Sequence, residues 1–400
     1  MINKTHLTKP KEFFKYDIQL IVVIGLLCCF GLAFLASSLN LNDESEYWGD
    51  LQKQFIIGIL GGGIIATILA LTDYHIWTRN KDLIAKVSFG LLGFVGFFAF
   101  LTFFIPSADA KNSFINEGFV RLLPIKPHIA NGSVRWIDFP FGLPNIQPSE
   151  VAKITTLIYF AGFFGKNYRE GFSWEKIKLP LWMFGTTALL ILLQPDLGTI
   201  AIIFVIIFSA MTVAKVPTKM LRQILIFGSL IGLLSIVFTP YRLTRVLGII
   251  NTDGDTKIEQ VVNIQKAINR GGLWGKGYGA SMKRQANIYE VSTDSIIAVI
   301  GEEIGFVGTT AFLMLYVWLF YRGMKIAHEA VDLEGKMIAT GIVVWIASQV
   351  FLNVCGMTGM IPMKGLPLPF VSKGGTAIVI TLIAMGILLN ISSQKRSEFR

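Results

Sequence analysis

The stretch that decides the fold comprises residues 18–38 and reads IQLIVVIGLLCCFGLAFLASS. It carries no charged residue and is long enough to cross the ~30 Å hydrocarbon core of a bilayer as one α-helix. A polar segment with several lysines precedes it, and no small-residue cleavage pattern follows it. We therefore predict that it is the first membrane helix and not a cleaved signal peptide.

Apolar runs of similar length recur from one end of the chain to the other. The chain is 53% hydrophobic and only 16% charged, whereas soluble proteins carry about 25% charged residues. This pattern predicts an all-α polytopic membrane protein with about ten transmembrane helices in a single domain, residues 1–400. The predicted helices lie at about 18–38, 54–72, 84–105, 149–165, 179–194, 199–214, 221–240, 295–320, 337–358 and 375–392.

Lysine and arginine concentrate in alternate short loops, as is typical of cytoplasmic loops. Examples are Lys11 before the first run, Lys176 before the fifth and Lys395 after the last. The loop after the first helix carries instead Asp43, Glu44, Glu46 and Asp50. We therefore predict that both chain ends are cytoplasmic (N-in, C-in).

The longest predicted loop, residues 241–294, joins the seventh and eighth helices on the extracytoplasmic side. It is strongly basic, through Arg242, Arg245, Lys257, Lys266, Arg270, Lys276, Lys283 and Arg284. These residues form either a solvated face or a site for an anionic ligand. Within the loop, residues 258–268 are predicted to form a short amphipathic helix, and residues 271–279 a flexible turn.

Several polar residues stand at the outer ends of predicted helices. Glu150 and Lys153, three residues apart, form either a structural ion pair or part of a functional site, because ionisable groups are costly at that depth. Asp196 is expected to cap the sixth helix, and Asp294 either caps the eighth or acts chemically. The proline- and glycine-rich residues 365–376 suit a re-entrant element or a wall that lines a cavity.

Together these clusters resemble one family, the SEDS proteins (shape, elongation, division and sporulation), which are cell-wall polymerases. The blocks that carry the resemblance, in the family's order, are residues 135–137 (Arg-Trp-Ile), 147–150 (Gln-Pro-Ser-Glu), 194–199 (Gln-Pro-Asp-Leu-Gly-Thr), 271–277 (Gly-Gly-Leu-Trp-Gly-Lys-Gly), 293–294 (Thr-Asp), 298–303 (Ala-Val-Ile-Gly-Glu-Glu) and 367–375 (Pro-Leu-Pro-Phe-Val-Ser-Lys-Gly-Gly). They span almost the whole chain, and the wording of 298–303 is more similar to the FtsW branch than to the RodA branch.

The resemblance implies a peptidoglycan glycosyltransferase that polymerises lipid II into glycan strands at the outer face of the membrane, for septal wall synthesis in division. It implies Asp294 as the catalytic residue. It implies substrate binding by Arg135, Lys153, Gln260, Lys276, Lys283, Arg284, Lys364 and Ser372, with support from Glu150, Asp196, Glu302 and Glu303. The alternatives are a RodA-type elongation polymerase, a lipid II flippase or transporter, and a non-catalytic division scaffold.

The resemblance also implies the setting of the reaction. The expected location is the bacterial cytoplasmic membrane, with the active site on the extracytoplasmic face. The expected partners are lipid II, a class B penicillin-binding protein (a transpeptidase) and other division proteins, with no nucleic acid. No covalently bound cofactor is expected, although such a site can recruit a divalent cation, Mg or Mn.

The chain departs from the family pattern beside these blocks. It has Ser292 where the family usually has His, Tyr289 where it usually has Pro, and Lys373 where it usually has Tyr. These positions bear on loop geometry and substrate detail, while Asp294 itself matches the family's aspartate.

Overall fold

A computed structural model describes residues 16–39, 44–103, 105, 125–130, 133–140, 145–167, 171–239, 243, 256–281, 292–361 and 365–394. The elements are α1 (Ile18–Ser38), α2 (Glu44–Gln52), a π-helical stretch (Lys53–Gly61), α3 (Gly62–Leu71), α4 (His75–Arg79), α5 (Lys81–Phe103), β1 (Lys126–Ala130), β2 (Ser133–Asp138), α6 (Pro148–Asn167), α7 (Trp174–Leu192), α8 (Leu197–Val213), α9 (Thr218–Val237), α10 (Thr256–Gly271), α11 (Ile296–Glu329), α12 (Leu333–Met357) and α13 (Gly375–Ser393).

All ten predicted membrane helices are present in the described residues, so the fold prediction is confirmed. Among the described residues, seven helical stretches are long and apolar enough to cross a membrane, and α8 is a shorter apolar helix. Most predicted bounds differ by a few residues, and two differ widely. The π-helical stretch joins α2 to α3, so the second helix begins at Glu44, and the eighth continues to Glu329. Apolar runs mark only the part of a helix that faces lipid or the core, so polar extensions escape them.

The centre of the bundle is α6, which packs against α5, α8 and α12. Most of its residues are buried, including the charged Glu150 and Lys153. At the edge, α3 crosses α13 so closely that a Cβ on Gly386 would overlap the backbone of Ala66. Small residues at such crossings let membrane helices pack tightly. Helix α9, by contrast with α6, is almost entirely unburied, since Leu221 is its one buried residue.

Helix α11 is broken at Gly305, whose φ of 65° and ψ of −170° are not helical. The glycine-rich turn after α10 fills the break. The amides of Lys276 and Gly277 donate to the carbonyls of Glu302 and Glu303 (both 3.0 Å), and those of Phe306 and Val307 donate to Gly272 and Leu273 (2.8 and 3.1 Å). The backbone groups freed by the break are thereby satisfied.

This docking corrects the prediction of a flexible turn at residues 271–279. A Cβ on Gly275 would overlap the backbone of Glu303, and a Cβ on Gly305 would overlap the backbone of Gly275. The two glycines therefore allow the turn and the helix to approach closely. The predicted amphipathic helix before the turn is confirmed as α10, which extends from Thr256 to Gly271.

A two-stranded antiparallel hairpin, β1–β2, lies beside α5 and α6. Val134 and Ile137 of β2 are buried against Val95 and Phe98 of α5. Ile137 also exchanges two backbone hydrogen bonds with Ile146 (2.8 and 3.0 Å), just before α6 begins. The hairpin therefore fixes the path of the chain into α6.

Candidate functional site

The predicted ion pair at the start of α6 is present and buried. Lys153 Nζ lies 2.7 Å from Glu150 Oε1, and the two side chains are 0% and 3% exposed. The ammonium lies 4.8 Å from the centre of the Trp345 ring. Glu150 Oε2 has no hydrogen-bond partner among the described residues. A buried pair of this kind is costly to form, so a role beyond stability is expected of it.

The pair is extended by α12. Lys153 Nζ donates to Gln349 Oε1 (3.1 Å), which also accepts from the indole Nε1 of Trp345 (2.9 Å). Gln349 Nε2 donates in turn to the carbonyl of Pro367 (2.8 Å). The ion pair is therefore connected through one amide side chain to residues 365–372, which we call the proline segment.

The proline segment lies largely inside the protein. Leu366, Leu368, Phe370 and Ser372 are buried, and Phe370 has a φ of 68°, a left-handed conformation that a non-glycine residue adopts only under constraint. The Ser372 hydroxyl accepts from the amide of Leu368 (2.8 Å). Ser372 therefore shapes the segment from within.

Asp294 is half-buried and stands two residues before α11. Its carbonyl accepts from Asn353 Nδ2 (3.0 Å). Its carboxylate lies against Gly365, where an added Cβ would stand 2.8 Å from Asp294 Oδ2. Ser295 occupies the N-cap position of α11 and makes no side-chain capping bond. The structure thus places Asp294 at the junction of α11, α12 and the proline segment.

Arg135 and Asp196 meet at the turn between α7 and α8. Arg135 Nε donates to the carbonyl of Gln194 (3.0 Å), and a second guanidinium nitrogen lies 3.4 Å from the carbonyl of Pro195. Asp196 caps α8 as predicted, accepting from the amide (3.1 Å) and hydroxyl (2.7 Å) of Thr199. Both residues organise this turn, and Gly198 packs it against Leu366 of the proline segment.

Glu302 and Glu303 lie on α11 just before its break and are 3% and 1% exposed. Glu303 Oε1 accepts from the Ser37 hydroxyl of α1, and Glu302 Oε1 lies 3.9 Å from an Arg270 guanidinium nitrogen. Lys276 has an exposed side chain on the docked turn. The two glutamates therefore join α11 to α1 and α10, while Lys276 presents its charge outward.

Two departures from the family pattern lie in contact. The amide of Lys373 donates to the carbonyl of Ser292 (2.8 Å), and the Lys373 ammonium pairs with Asp50 of α2. Gln54 donates to the carbonyl of Ser372 (3.1 Å) and accepts from the amide of Gly374 (3.3 Å). The first half of the second helix is thereby fixed to the end of the proline segment.

Some predicted residues lie outside the described part of the chain. Lys283, Arg284, Lys364 and Tyr289 are among them. Gln260 belongs to α10, but its side chain is not described. The structure therefore places Asp294, Lys153, Glu150 and Ser372 around α12 and the proline segment. The substrate-binding roles of the other basic residues stay predictions.

A metal site is not formed by described residues near Asp294. Within the described ranges, one group brings three metal-type ligand atoms within 4.8 Å, namely His75, Asp332 and Glu334. It lies beyond the far end of α11, and its members bond one another and their neighbours: His75 Nε2 lies 2.7 Å from Asp332 Oδ2, and Tyr74 donates to Asp332 Oδ1 (2.7 Å). We interpret it as a structural cluster.

Sequence reasoning missed Gln349 and Asn353. Both are buried amide side chains, one turn apart on α12. The sequence did carry a signal for them, because two amide residues four positions apart in an apolar helix lie on the same face and can contact the same neighbours. It went unread because neither residue ionises.

Comparisons with known proteins find relatives along most of the chain. A family model described as "Cell cycle protein" (FtsW, RodA and SpoVE) matches residues 114–397. Stage V sporulation protein E of Bacillus subtilis is 31% identical over 95% of this chain and 98% of its own length. A probable peptidoglycan glycosyltransferase FtsW of Geobacter sulfurreducens is 30% identical over 96% of this chain and 97% of its own.

Solved structures share the fold. A chain in a structure of a peptidoglycan synthase complex, described as coordinating polymerization and crosslinking, superposes with a TM-score of 0.74 at 23% identity, covering 96% of this chain and 100% of that one. The rod shape determining protein RodA of Thermus thermophilus gives a TM-score of 0.67 at 22% identity, covering 96% of this chain and 99% of that one.

Proposed function

The chain belongs to the FtsW/RodA/SpoVE family of cell cycle proteins, and from that premise we propose that it is a peptidoglycan glycosyltransferase. Its substrate is lipid II, a disaccharide-peptide carried on a polyprenyl pyrophosphate. Its product is a glycan strand made at the outer face of the bacterial cytoplasmic membrane. Relatives named FtsW and Stage V sporulation protein E favour septal wall synthesis over elongation.

One observation carries the proposal. Asp294 stands at one end of α11, half-buried and held by α12 against the proline segment. The buried Lys153 joins the same segment through Gln349. A carboxylate placed by rigid elements and connected through hydrogen bonds to a buried cation suits an acid–base reaction.

The reaction follows from these groups. Asp294 accepts the proton of the acceptor sugar hydroxyl as that oxygen attacks the anomeric carbon of the donor. A new glycosidic C–O bond forms, and the bond from that carbon to the pyrophosphate oxygen breaks. The lipid pyrophosphate leaves with the bonding electron pair, and the proton passes from Asp294 to solvent.

The leaving pyrophosphate gains negative charge in the transition state, so cations beside it lower the barrier. Lys276 offers an exposed ammonium on a turn anchored to α11. Lys283, Arg284 and Lys364 are proposed to add charge from the neighbouring segments. The net charge of +10 is consistent with an anionic substrate.

A divalent cation stays a proposal as well. The described residues around Asp294 do not bring three ligand atoms together, so they do not form a metal cage by themselves. We route no step through a cation. If the substrate pyrophosphate recruits Mg²⁺ or Mn²⁺, chelation with EDTA will lower the rate, and adding back either ion will restore it.

The rival function is lipid II transport. Transporters use broken helices whose free backbone groups bind the cargo near the middle of the membrane. The break in α11 differs, because the backbone groups on either side of Gly305 bond to the docked turn. These backbone groups already have hydrogen-bond partners within the protein, so they are not available to bind a cargo. This favours the polymerase over the transporter.

We propose a class B penicillin-binding protein as the partner, in contact with lipid-facing residues of α11 and α12. Phe306, Trp318 and Tyr321 of α11, and Phe351 of α12, are exposed apolar side chains suited to such contact. A photocrosslinker at Trp318 is expected to trap a transpeptidase in native membranes, whereas one at Trp182 of α7 is expected not to. Recovery of none from α11 or α12 would contradict the proposal.

The deciding experiment uses purified protein and lipid II with a fluorescent label. We expect strands of many disaccharides on a gel, and no faster movement of labelled lipid II across liposomes than with protein-free controls. Movement without polymer would establish the transporter. Neither activity, with and without the transpeptidase, would favour a scaffold.

A further inference from the structure

The proline segment is held mainly by side chains. Proline has no amide hydrogen, and buried carbonyls need donors. Asn353 Nδ2 donates to the carbonyl of Leu366 (2.7 Å), Gln349 Nε2 to that of Pro367 (2.8 Å) and the Tyr316 hydroxyl to that of Pro369 (2.6 Å). Two of these three donors are the neighbouring amides of α12.

Asn353 makes a second bond that reaches Asp294. The same Nδ2 that donates to Leu366 also donates to the Asp294 carbonyl (3.0 Å). Asn353 is 1% exposed, and its Oδ1 has no hydrogen-bond partner among the described residues. What this side chain supplies is therefore its pair of N–H donors.

Gln349 makes the matching connection to the cation. Its Oε1 accepts from Lys153, and its Nε2 holds Pro367. Gln349 and Asn353 are one helical turn apart. The ammonium of Lys153 and the main chain of Asp294 are thus each one hydrogen bond away from adjacent side chains of the same rigid helix.

We propose that Asn353 and Gln349 are positioning residues, which fix the separation between Asp294 and the Glu150–Lys153 pair by holding both to α12 and the proline segment. This inference rests on the proposed glycosyltransferase function. Neither amide needs to touch substrate. Their loss lets Asp294 move relative to the charged pair, and a displacement of about 1 Å can lower a rate by about 10²-fold.

The test is Asn353→Asp, which keeps the shape of the side chain and removes both N–H donors. We expect the kcat for lipid II polymerisation to fall by about tenfold or more while KM changes less than about twofold, because a group acting in the transition state alone lowers kcat. Asn353→Ser, which retains one hydroxyl donor, is expected to lose less. Thr358→Val is the control, since among the described residues the Thr358 hydroxyl bonds only carbonyls of its own helix.

A second readout separates positioning from folding. Gly365→Ala also displaces the Asp294 carboxylate, so in that background Asn353→Asp is expected to cost clearly less than it costs alone. Gln349→Met is expected to behave likewise in a Lys153→Met background. Loss of thermal stability without this non-additivity would overturn the inference.

The outcomes are distinguishable. If wild-type protein and Thr358→Val make no polymer, the proposed function fails and the inference with it. If both make polymer and folded Asn353→Asp matches them, the inference alone fails. A raised KM at unchanged kcat also overturns it, because that result would make Asn353 a substrate ligand.

Discussion

The carboxylate of Asp294 rests on Gly365, and a methyl group at residue 365 would stand 2.8 Å from Asp294 Oδ2. No side chain other than hydrogen fits there without moving the carboxylate. Gly365 belongs to the proline segment, so the position of the proposed base depends on a segment that is distant from it in sequence.

Gly365→Ala is therefore expected to reduce polymerisation by about tenfold to 10²-fold, because the carboxylate must shift away from its reacting position. Folding is expected to survive, since the carboxylate is half-exposed and can move. The measurement is the rate of strand synthesis, with Gly90→Ala of α5 as the control, where an added Cβ meets nothing within 4 Å. Equal rates in the two variants would contradict the geometry.

Lys153→Met leaves the Glu150 carboxylate buried without its cation. Removing one partner of a buried pair costs about 3–5 kcal/mol, so we expect a large fall in the thermal unfolding midpoint in detergent. Replacing both residues, Glu150→Gln with Lys153→Met, should restore much of that stability. We expect it not to restore strand synthesis.

The control for this pair is Thr212→Val, because Thr212 is exposed on α8 and its hydroxyl donates to Phe208 of its own helix. A double variant that recovers both stability and activity would make the pair purely structural. Lys153→Met that melts like Thr212→Val would show that the pair is not formed.

The His75 cluster predicts a pH dependence of stability. Burial acts to lower the pKa of His75, but hydrogen bonds and charge interactions with Asp73 and Asp332 outweigh burial and raise it. A raised folded pKa contributes stability that is fully present below the ordinary histidine pKa of about 6.5 and is lost as pH rises through the folded pKa. The pKa of Asp73 is lowered: burial opposes the shift, and the bonds from His75 and Gln394 outweigh it. The stability that Asp73 contributes is thus present above its ordinary pKa and lost toward acid.

We therefore expect the unfolding midpoint to fall between about pH 6.5 and the alkaline range as His75 loses its proton, and His75→Gln to abolish most of that fall. His328→Gln is the control, because His328 is exposed at the end of α11. Identical pH profiles for His75→Gln and wild type would contradict the assigned charge.

The orientation follows from the loop charges and is testable by labelling. In a variant without Cys28, Cys29 and Cys355, a cysteine at Gly277 should react with a membrane-impermeant maleimide added outside cells. One at Gly171 should react only after lysis. The reverse pattern would place Asp294 in the cytoplasm and remove the proposed reaction from the lipid II face.

Much of the fold was predictable because apolar runs report directly on helices in lipid. All ten helices, the amphipathic α10 and the Glu150–Lys153 pair were confirmed. The docked turn was not predicted as such, because its contacts with Glu302 and Glu303 join backbone groups, which carry no residue-specific signal. Gly275 and Gly305 permit that close approach. In a single sequence, however, a glycine is equally consistent with close packing and with a flexible turn.

The charged residues and the family motifs of the candidate site could be located in the sequence. Asp294, Lys153 and Ser372 lie around one segment, and their roles toward substrate stay predictions. Arg135 was expected to bind substrate, yet its guanidinium is engaged with the carbonyls of Gln194 and Pro195. Both partners are backbone carbonyls. Every residue has one, so the sequence does not indicate which carbonyls an arginine will bind.

The central claim is that Asp294 is the general base, and Asp294→Asn tests it most directly. Asparagine keeps the size of the side chain and most of its hydrogen-bonding, but it cannot take a proton at neutral pH. We predict that the purified variant folds, melts near the wild-type midpoint and binds lipid II, yet makes glycan strands at least about 10²-fold more slowly. Near-wild-type strand synthesis by well-folded Asp294→Asn would contradict the account and direct attention to Glu302 and Glu303.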